Sequence, residues 1–210
     1  MRALLAQGRK KDALSYAEAS RGLNAPDRQI SAMCEDILLS SGLAEEAYRR
    51  YAIEANQATT HLATFRAIVK KYPHKAPAGI LHDLVSSQPG NEGKWFAAAK
   101  DAGLYDAAID LVSRSPTDLR TLIRAARDYA KTQPEFAIAS GRAALHWIGL
   151  GHGYEILNID VLGAYQGIMD AARFAGMDEQ QVKQDLRHLI EHSSHQREFL
   201  HSILDRHLTA

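Results

Sequence analysis

The sequence predicts an all-α fold of about thirteen helices. Apolar residues recur at helical spacing along almost the whole chain, as in Ile30, Cys34 and Ile37, which fall on one stripe of a helix. Strand-like alternation is not convincing anywhere in the sequence. Capping residues, glycines and prolines also divide the chain into helix-sized segments. The apolar spacing, the lack of strand alternation and the boundary residues together favour helices throughout.

Each helix is predicted from its own start and stop signals. Helix starts are marked by the capping residues Asp27, Thr59 or Thr60, and Asn91. Helix ends are marked by Gly22, Gly42, Gly103 and Gly176, because glycine adopts the left-handed C-terminal conformation without a side-chain penalty. Boundaries or first turns are marked by Pro73, Pro77, Pro116 and Pro134, since proline lacks the amide hydrogen of an interior helical position. In chain order, the predicted spans are 1–7, 10–21, 27–41, 44–56, 60–72, 77–87, 91–102, 104–114, 117–132, 134–149, 159–175, 178–193 and 195–208.

A repeat underlies these helices. The turns inside successive helix pairs are Gly8, Gly42, Pro73, Gly103 and Pro134, at intervals of 34, 31, 30 and 31 residues. A near-constant period of this size is typical of stacked helical hairpins. Three turns pair a glycine with an alanine five residues later, namely Gly8 with Ala13, Gly42 with Ala47, and Gly103 with Ala108. Glycine permits the tight reversal, and alanine lets the two helices approach closely.

The chain resembles the tetratricopeptide-repeat (TPR) superfamily over residues 1–149. Gly103, Tyr105 and Ala108 match the turn residue of that family, the aromatic residue two positions on, and the small residue that opens the second helix. The other copies depart from the pattern: Lys10 and Ala44 replace the aromatic residue, Glu35 and Phe96 occupy a slot for small residues, and the proline usual at the repeat end is absent in register. The resemblance implies a TPR-like α-solenoid, a right-handed superhelix of antiparallel hairpins, whose relatives mostly hold peptides or partner proteins in a concave groove.

The period breaks at a glycine-containing connection, residues 150–158. Residues 1–149 are predicted to form the repeats, and residues 159–210 a C-terminal helical cap packed on them, because the last repeat of a solenoid would otherwise expose its apolar face. Near the connection, Trp147 is expected in the core. Only seven residues precede Gly8, too few for a first helix of about three turns. We therefore expect the repeats to begin in mid-repeat, in a fragment or domain of a larger protein.

Composition excludes several classes of protein. Of 210 residues, 46% are hydrophobic and 24% charged, which is typical of soluble globular proteins. Twenty-five basic residues cancel twenty-five acidic ones, so the chain lacks the strong positive field of a dedicated nucleic-acid binder. The single cysteine, Cys34, excludes an internal disulfide or a multi-cysteine zinc site, and its place on an apolar stripe predicts an inert thiol. No apolar run reaches the roughly 18 residues of a membrane span, so we expect a cytoplasmic protein without a membrane partner. We also expect no cofactor.

One segment carries a local positive charge. Residues 61–100 contain six Lys or Arg against two Asp or Glu, a balance of plus four. Equivalent turns of a solenoid lie on one edge, so the candidate binding residues of this basic edge are Lys70, Lys71, Tyr72, His74, Lys75, Lys94 and Trp95. Such a patch suits an acidic peptide, a phosphate-bearing ligand or a nucleic-acid backbone. The alternative, which we favour, is that the lysines solvate a turn while Trp95 packs between repeats.

One short motif suggests metal chemistry. His188, Glu191 and His192 form an H-x-x-E-H string, in which two histidines on one helical face bind zinc and the glutamate acts as a base. A further ligand well downstream is expected in that class, and only 18 residues remain. His188, His192 and His195 are also candidates for a structural metal site. We favour solvated histidines on an exposed helix, and neither metal reading is adopted.

The sequence therefore favours a non-enzymatic helical-repeat scaffold. Its expected partner is a protein, a peptide or another domain of a longer parent chain, because stacked hairpins leave a long face suited to extended ligands. The alternative is nucleic-acid or phosphate-ligand binding through the basic edge. A metal-dependent hydrolase is the remote alternative.

Overall fold

The computed structural model describes residues 2–21 and 27–209, and this part of the chain is all-α, without strands. Its helices are α1 (Arg2–Ala6), α2 (Lys10–Ala19), α3 (Asp27–Leu39), α4 (Ala44–Ala55), α5 (His61–Lys71), α6 (Pro77–Ser86), α7 (Phe96–Asp101), α8 (Tyr105–Arg114), α9 (Leu119–Asp128), α10 (Pro134–Gly149), α11 (Asn158–Phe174), α12 (Glu179–Glu191) and α13 (Arg197–Thr209). A short 3-10 turn, Glu92–Trp95, precedes α7. The predicted all-α class is confirmed.

Apart from the start predicted at residue 91, the predicted helix ends agree with the observed ones to within four residues. Thr60 caps α5 by accepting a hydrogen bond from the amide of Ala63 (3.1 Å), as predicted. The prediction was wrong at Asn91, whose side chain makes no capping hydrogen bond. There the chain forms the 3-10 turn, and the Gly93 amide donates to Ser115 Oγ (2.8 Å). The predicted stop at Gly22 lies outside the described residues.

The glycine and alanine pattern of the turns has a direct structural basis. Gly8, Gly42 and Gly103 have φ values of 72°, 76° and 71°, in the left-handed region that side chains disfavour. The paired alanines, Ala13, Ala47 and Ala108, have no exposed surface. Each glycine thus reverses the chain, and each alanine lies in the contact between helices.

The chain divides into two compact units, residues 1–87 and 88–210. In the first unit, each helix from α1 to α6 packs on the next one along the chain. Its core includes Cys34, Phe65, Ile68, Ile80 and Leu84. Consecutive helices pack in the way that stacked hairpins require.

The second unit contains α7 to α13. In it, α10 packs on both α9 and α11, and α11 also packs on α9. Arg120 and Asp160, at the starts of α9 and α11, are joined by an ion pair (3.8 Å), and further along Gly167 lies against the Arg127 amide. Both pairs are 40 residues apart, so α9 and α11 run in parallel. After the connection, α12 packs on α10 and α11, and α13 packs on α11 and α12. Trp147 is buried, and its indole N–H donates to Val112 O (2.8 Å).

Among the helices of the described residues, none combines the length and the apolar character that crossing a membrane requires.

Candidate functional site

Two lysines and one histidine of the predicted basic edge have acidic partners within the first unit. Lys71 Nζ lies 2.5 Å from Glu35 Oε2. Lys75 Nζ lies 2.8 Å from Glu45 Oε2, and His74 Nε2 lies 3.0 Å from Glu45 Oε1. Because these carboxylates neutralise their neighbours, this segment carries much less free positive charge than its sequence suggests.

The aromatic residues of the basic edge are buried. Tyr72 has no exposed surface, and Trp95 is 1% exposed. Tyr72 donates its hydroxyl to Glu35 Oε1 (2.6 Å). Lys70 and Lys94 are exposed, but they belong to different units, and the joint patch stays a prediction.

Glu35 is the shared hydrogen-bond acceptor of three side chains in the first unit. Its carboxylate has no exposed surface and accepts hydrogen bonds from Lys71, Tyr72 and Asn56 Nδ2, the last at 2.7 Å. Burial lowers the pKa of Lys71, but the hydrogen bond and the charge of Glu35 outweigh burial, so the pKa is raised overall. Burial, and then the hydrogen bond to Glu35, raise the pKa of Tyr72. The only sequence signal for this role is a glutamate next to the apolar stripe of α3.

Cys34, beside Glu35, has no exposed surface either. Burial raises the pKa of its thiol, and this effect exceeds the opposing hydrogen bond with Tyr51. The thiol is therefore protonated and inaccessible at neutral pH, as the sequence predicts for an inert cysteine.

A groove of about 1120 Å³ runs along α4. The lining comprises residues 42–46 and 48–54 together with His74, Lys75 and Asp83. Tyr48 is one of the lining residues and donates its hydroxyl to Asp83 Oδ2 (2.7 Å), while Lys75 Nζ lies 4.3 Å from the centre of the Tyr48 ring. Burial, together with the hydrogen bond to Asp83, raises the pKa of Tyr48, so its hydroxyl remains a donor at neutral pH. We call this feature the α4 groove.

The α4 groove has mixed charge. Its carboxylates belong to Glu45, Glu46, Glu54 and Asp83, and its permanent cations to Arg49, Arg50 and Lys75. Arg50 is bound to Glu46 (2.7 Å) and to Glu18, whereas Arg49 is exposed and forms no ion pair with the residues that the structure describes. Leu43, 48% exposed, adds an apolar side chain to the lining. The α4 groove therefore offers a free guanidinium, a fixed tyrosine and an apolar contact.

The dimensions of the α4 groove suit an extended chain. From Ala44 to Glu54, α4 rises by about 15 Å, which is the length of about five extended residues. Sequence reasoning found His74 and Lys75 but missed Tyr48 and Arg49. These two residues belong to an ordinary amphipathic helix, and only the fold shows which of its polar side chains line a groove.

The histidines of the H-x-x-E-H string lie on the exposed side of α12. His192 Nδ1 is 2.6 Å from the carbonyl oxygen of His188, one turn earlier in the same helix. Both histidines line a small cleft of about 310 Å³ together with Arg142, His146 and Asp185. His195 lies beyond α12 and pairs with Ser194 Oγ (2.8 Å). Over residues 2–21 and 27–209, no three His, Cys, Asp or Glu side chains are grouped to hold a metal ion, so the geometry lends no support to the hydrolase alternative.

Comparison with known protein families, with curated proteins and with solved structures finds no match to this chain. The resemblance to the TPR superfamily therefore depends on its turn residues and on the packing of consecutive helices.

Proposed function

We propose that this chain is a non-enzymatic, TPR-like helical-repeat module that binds a protein or peptide partner along the α4 groove. The observation that carries this proposal is the α4 groove itself, an open concavity that follows one helix for three turns. An extended peptide, or a segment from another domain of a longer parent chain, has the right shape for it.

The side chains of the α4 groove support recognition rather than bond breaking. Lys75 and Arg50 are held by carboxylates, and Tyr48 by Asp83, so these side chains have fixed positions. Arg49 keeps its guanidinium available for a partner carboxylate or carbonyl oxygen. Leu43 offers apolar area beside it, and arginine is among the residues that dominate binding energy at interfaces.

The proposal is tested with peptides selected from a displayed random library on the immobilised full chain. Their affinities are then measured for the wild type, Arg49→Glu and Leu43→Ser. We expect each substitution to weaken binding about tenfold, which corresponds to about 1.4 kcal/mol. Arg197→Glu is the matched control, since Arg197 is an exposed arginine on α13.

Two outcomes would contradict the α4 groove as the binding site. One is that no peptide is selected. The other is that the selected peptides bind Arg49→Glu and Leu43→Ser as tightly as the wild type. Retention of nucleic acid that is released by salt and lost in Lys70→Glu or Lys94→Glu would instead favour the basic edge.

A further inference from the structure

The connection between α10 and α11 exposes three large apolar side chains. Tyr154 is 85% exposed, Leu157 58% and Ile159 72%. Single exposed apolar residues are ordinary, but three within six residues form a patch. Exposed apolar side chains cost free energy in water, so a group of them is a candidate binding surface.

The backbone of the connection fixes this exposure. Gly151 and Gly153 have φ values of 81° and 114°, and Glu155 adopts a φ of 49°, which is uncommon for a residue with a side chain. A side chain at Gly153 would meet Leu119 and Ile156 at 2.5 and 2.7 Å, so the connection lies close against the first residue of α9. Tyr154 projects from a segment that is held in place by these contacts.

A row of arginines borders the patch. Arg120, Arg124 and Arg127 follow one face of α9 at spacings of four and three residues, with side chains 60%, 60% and 69% exposed. Asp160 joins the two features: it accepts a hydrogen bond from the Leu157 amide (3.0 Å) and lies 3.8 Å from Arg120 Nε. The apolar side chains of the connection and the first arginines of α9 therefore share one surface.

Acidic residues between these arginines restrict the kind of partner. Asp118 and Asp128 flank the row, and Glu155 is next to Tyr154. Residues 88–210 contain 13 Lys or Arg and 16 Asp or Glu, a formal charge of minus three. A uniformly anionic bilayer or nucleic-acid backbone would meet these carboxylates directly, whereas a protein segment places its charges at defined positions.

We infer that Tyr154, Leu157, Ile159, Arg120 and Arg124 form a docking site for an acidic amphipathic segment of a partner protein. The partner's apolar side chains pack on Tyr154, Leu157 and Ile159, and its carboxylates meet Arg120 and Arg124. Within the described part of the chain, the ion pairs of these arginines with Asp160 and Asp118 are long, at 3.8 Å each. Tyrosine and arginine are the residues most enriched at energetic centres of interfaces. We call this surface the connection surface, and it consists of residues of the second unit only.

The test selects displayed peptides of about 15 residues, enough for four helical turns, in parallel on three full-length proteins. These are the wild type, the triple variant Tyr154→Ser, Leu157→Ser, Ile159→Ser, and Arg49→Glu. Peptides that are selected on the wild type but not on the triple variant bind at the connection surface. Peptides that are selected on the wild type but not on Arg49→Glu bind at the α4 groove. Failure of one proposal is thus separable from failure of the other.

We expect the peptides that depend on the connection surface to be rich in Asp or Glu and in Leu, Ile or Phe. Their affinity should fall about tenfold in the triple variant and in Arg120→Glu, Arg124→Glu. Phe174→Ser, at an exposed apolar residue at the other end of α11, and Arg197→Glu are matched controls that leave the affinity unchanged. Circular dichroism of every variant checks that the helices are intact.

The inference is overturned if no selected peptide loses affinity in the triple variant. It is also overturned if the peptides that do lose affinity carry no excess of acidic residues. It is also overturned if the triple variant abolishes binding to phosphatidylserine vesicles, or if Arg120→Glu, Arg124→Glu abolishes binding to single-stranded RNA, because either result assigns the surface to another class of partner.

Discussion

At the scale of single residues, the buried carboxylate of Glu35 on α3 stabilises the first unit through donors at the ends of two other helices. It receives hydrogen bonds from Asn56 at the end of α4, Lys71 in the last turn of α5 and Tyr72 just beyond it. A buried charge is tolerated only when it is paired and its remaining lone pairs are satisfied. Removing the charge therefore takes away the closer of the two carboxylates that pair with Lys71.

We expect Glu35→Gln to lower the free energy of unfolding by about 2 kcal/mol, because Lys71 loses the closer of its two carboxylate partners and one of the three donors loses its acceptor. Urea denaturation measures this change. Asp36→Asn is the matched control: its side chain is 70% exposed and also contacts Lys71 (3.2 Å), and its effect should stay within about 0.5 kcal/mol. Equal effects of the two substitutions would show that Glu35 is not the centre of the network.

The same network predicts a loss of stability at alkaline pH. The pKa values of Tyr72 and Lys71 are raised above their ordinary values of 10.0 and 10.5, so the unfolded chain releases these protons first. Their contribution is fully present below the unfolded pKa and is lost as pH rises through the folded pKa. We therefore expect the free energy of unfolding to fall as pH rises above about 10, the ordinary pKa of tyrosine.

Urea unfolding at a series of alkaline pH values up to about pH 11 measures this fall in the free energy of unfolding. Tyr72→Phe should reduce the alkaline loss, because the ionisable hydroxyl is gone. Tyr154→Phe removes a hydroxyl at an 85% exposed position and should leave the pH profile as in the wild type. A free energy of unfolding that stays constant up to pH 11 would contradict this role of the network.

At the scale of helices, the parallel contact of α9 and α11 depends on a residue without a side chain. A Cβ atom at Gly167 would lie 2.9 Å from Ala126 Cβ and 3.0 Å from the Ala126 carbonyl carbon. At such distances the two helices must separate to admit even one methyl group. Gly167 therefore sets the distance between α9 and α11.

Gly167→Ala should lower the free energy of unfolding by about 1–3 kcal/mol, since the added methyl group meets backbone that cannot yield. Gly79→Ala in α6 is the control with the opposite expected sign. No atom lies within 4 Å of a Cβ at Gly79, so alanine there should stabilise the chain by about 0.5–1 kcal/mol. Thermal unfolding of both variants measures the difference, and a neutral Gly167→Ala would show that the contact relaxes easily.

At the scale of the whole molecule, the chain is organised as two units rather than as one run of equal repeats. Within residues 88–210, α9, α10 and α11 bury Leu122, Leu145 and Ile168 completely. The connection at 150–158 interrupts the sequence period, but it lies within this unit, and α11 packs on α9 and α10. The core of the second unit is thus shared by helices on both sides of the connection.

We expect a fragment of residues 88–210 to unfold cooperatively on its own, because its helices bury a common core. A fragment of residues 159–210 should not, since α11 loses the two helices on which it packs. Circular dichroism during heating measures both. A cooperative transition for residues 159–210 would show instead that the predicted C-terminal cap is a domain by itself.

Local signals in the sequence determined the helices and their turns. Apolar spacing, the capping Thr60 and the glycines of the turns act within one or two helical turns, so their consequences follow from neighbouring residues alone. The burial of Ala13, Ala47 and Ala108 follows from the same repeat. The all-α class and most helix ends were therefore accessible without a structure.

Only the tertiary structure decided the binding surfaces. Lys71 and Tyr72 belong to a basic segment by sequence, yet their partner Glu35 lies 36 and 37 residues away. The α4 groove around Tyr48 and the exposure of Tyr154 likewise depend on which helices pack together. Burial and the pairing of charges are set by contacts between residues far apart in the chain, and local sequence patterns do not reveal those contacts.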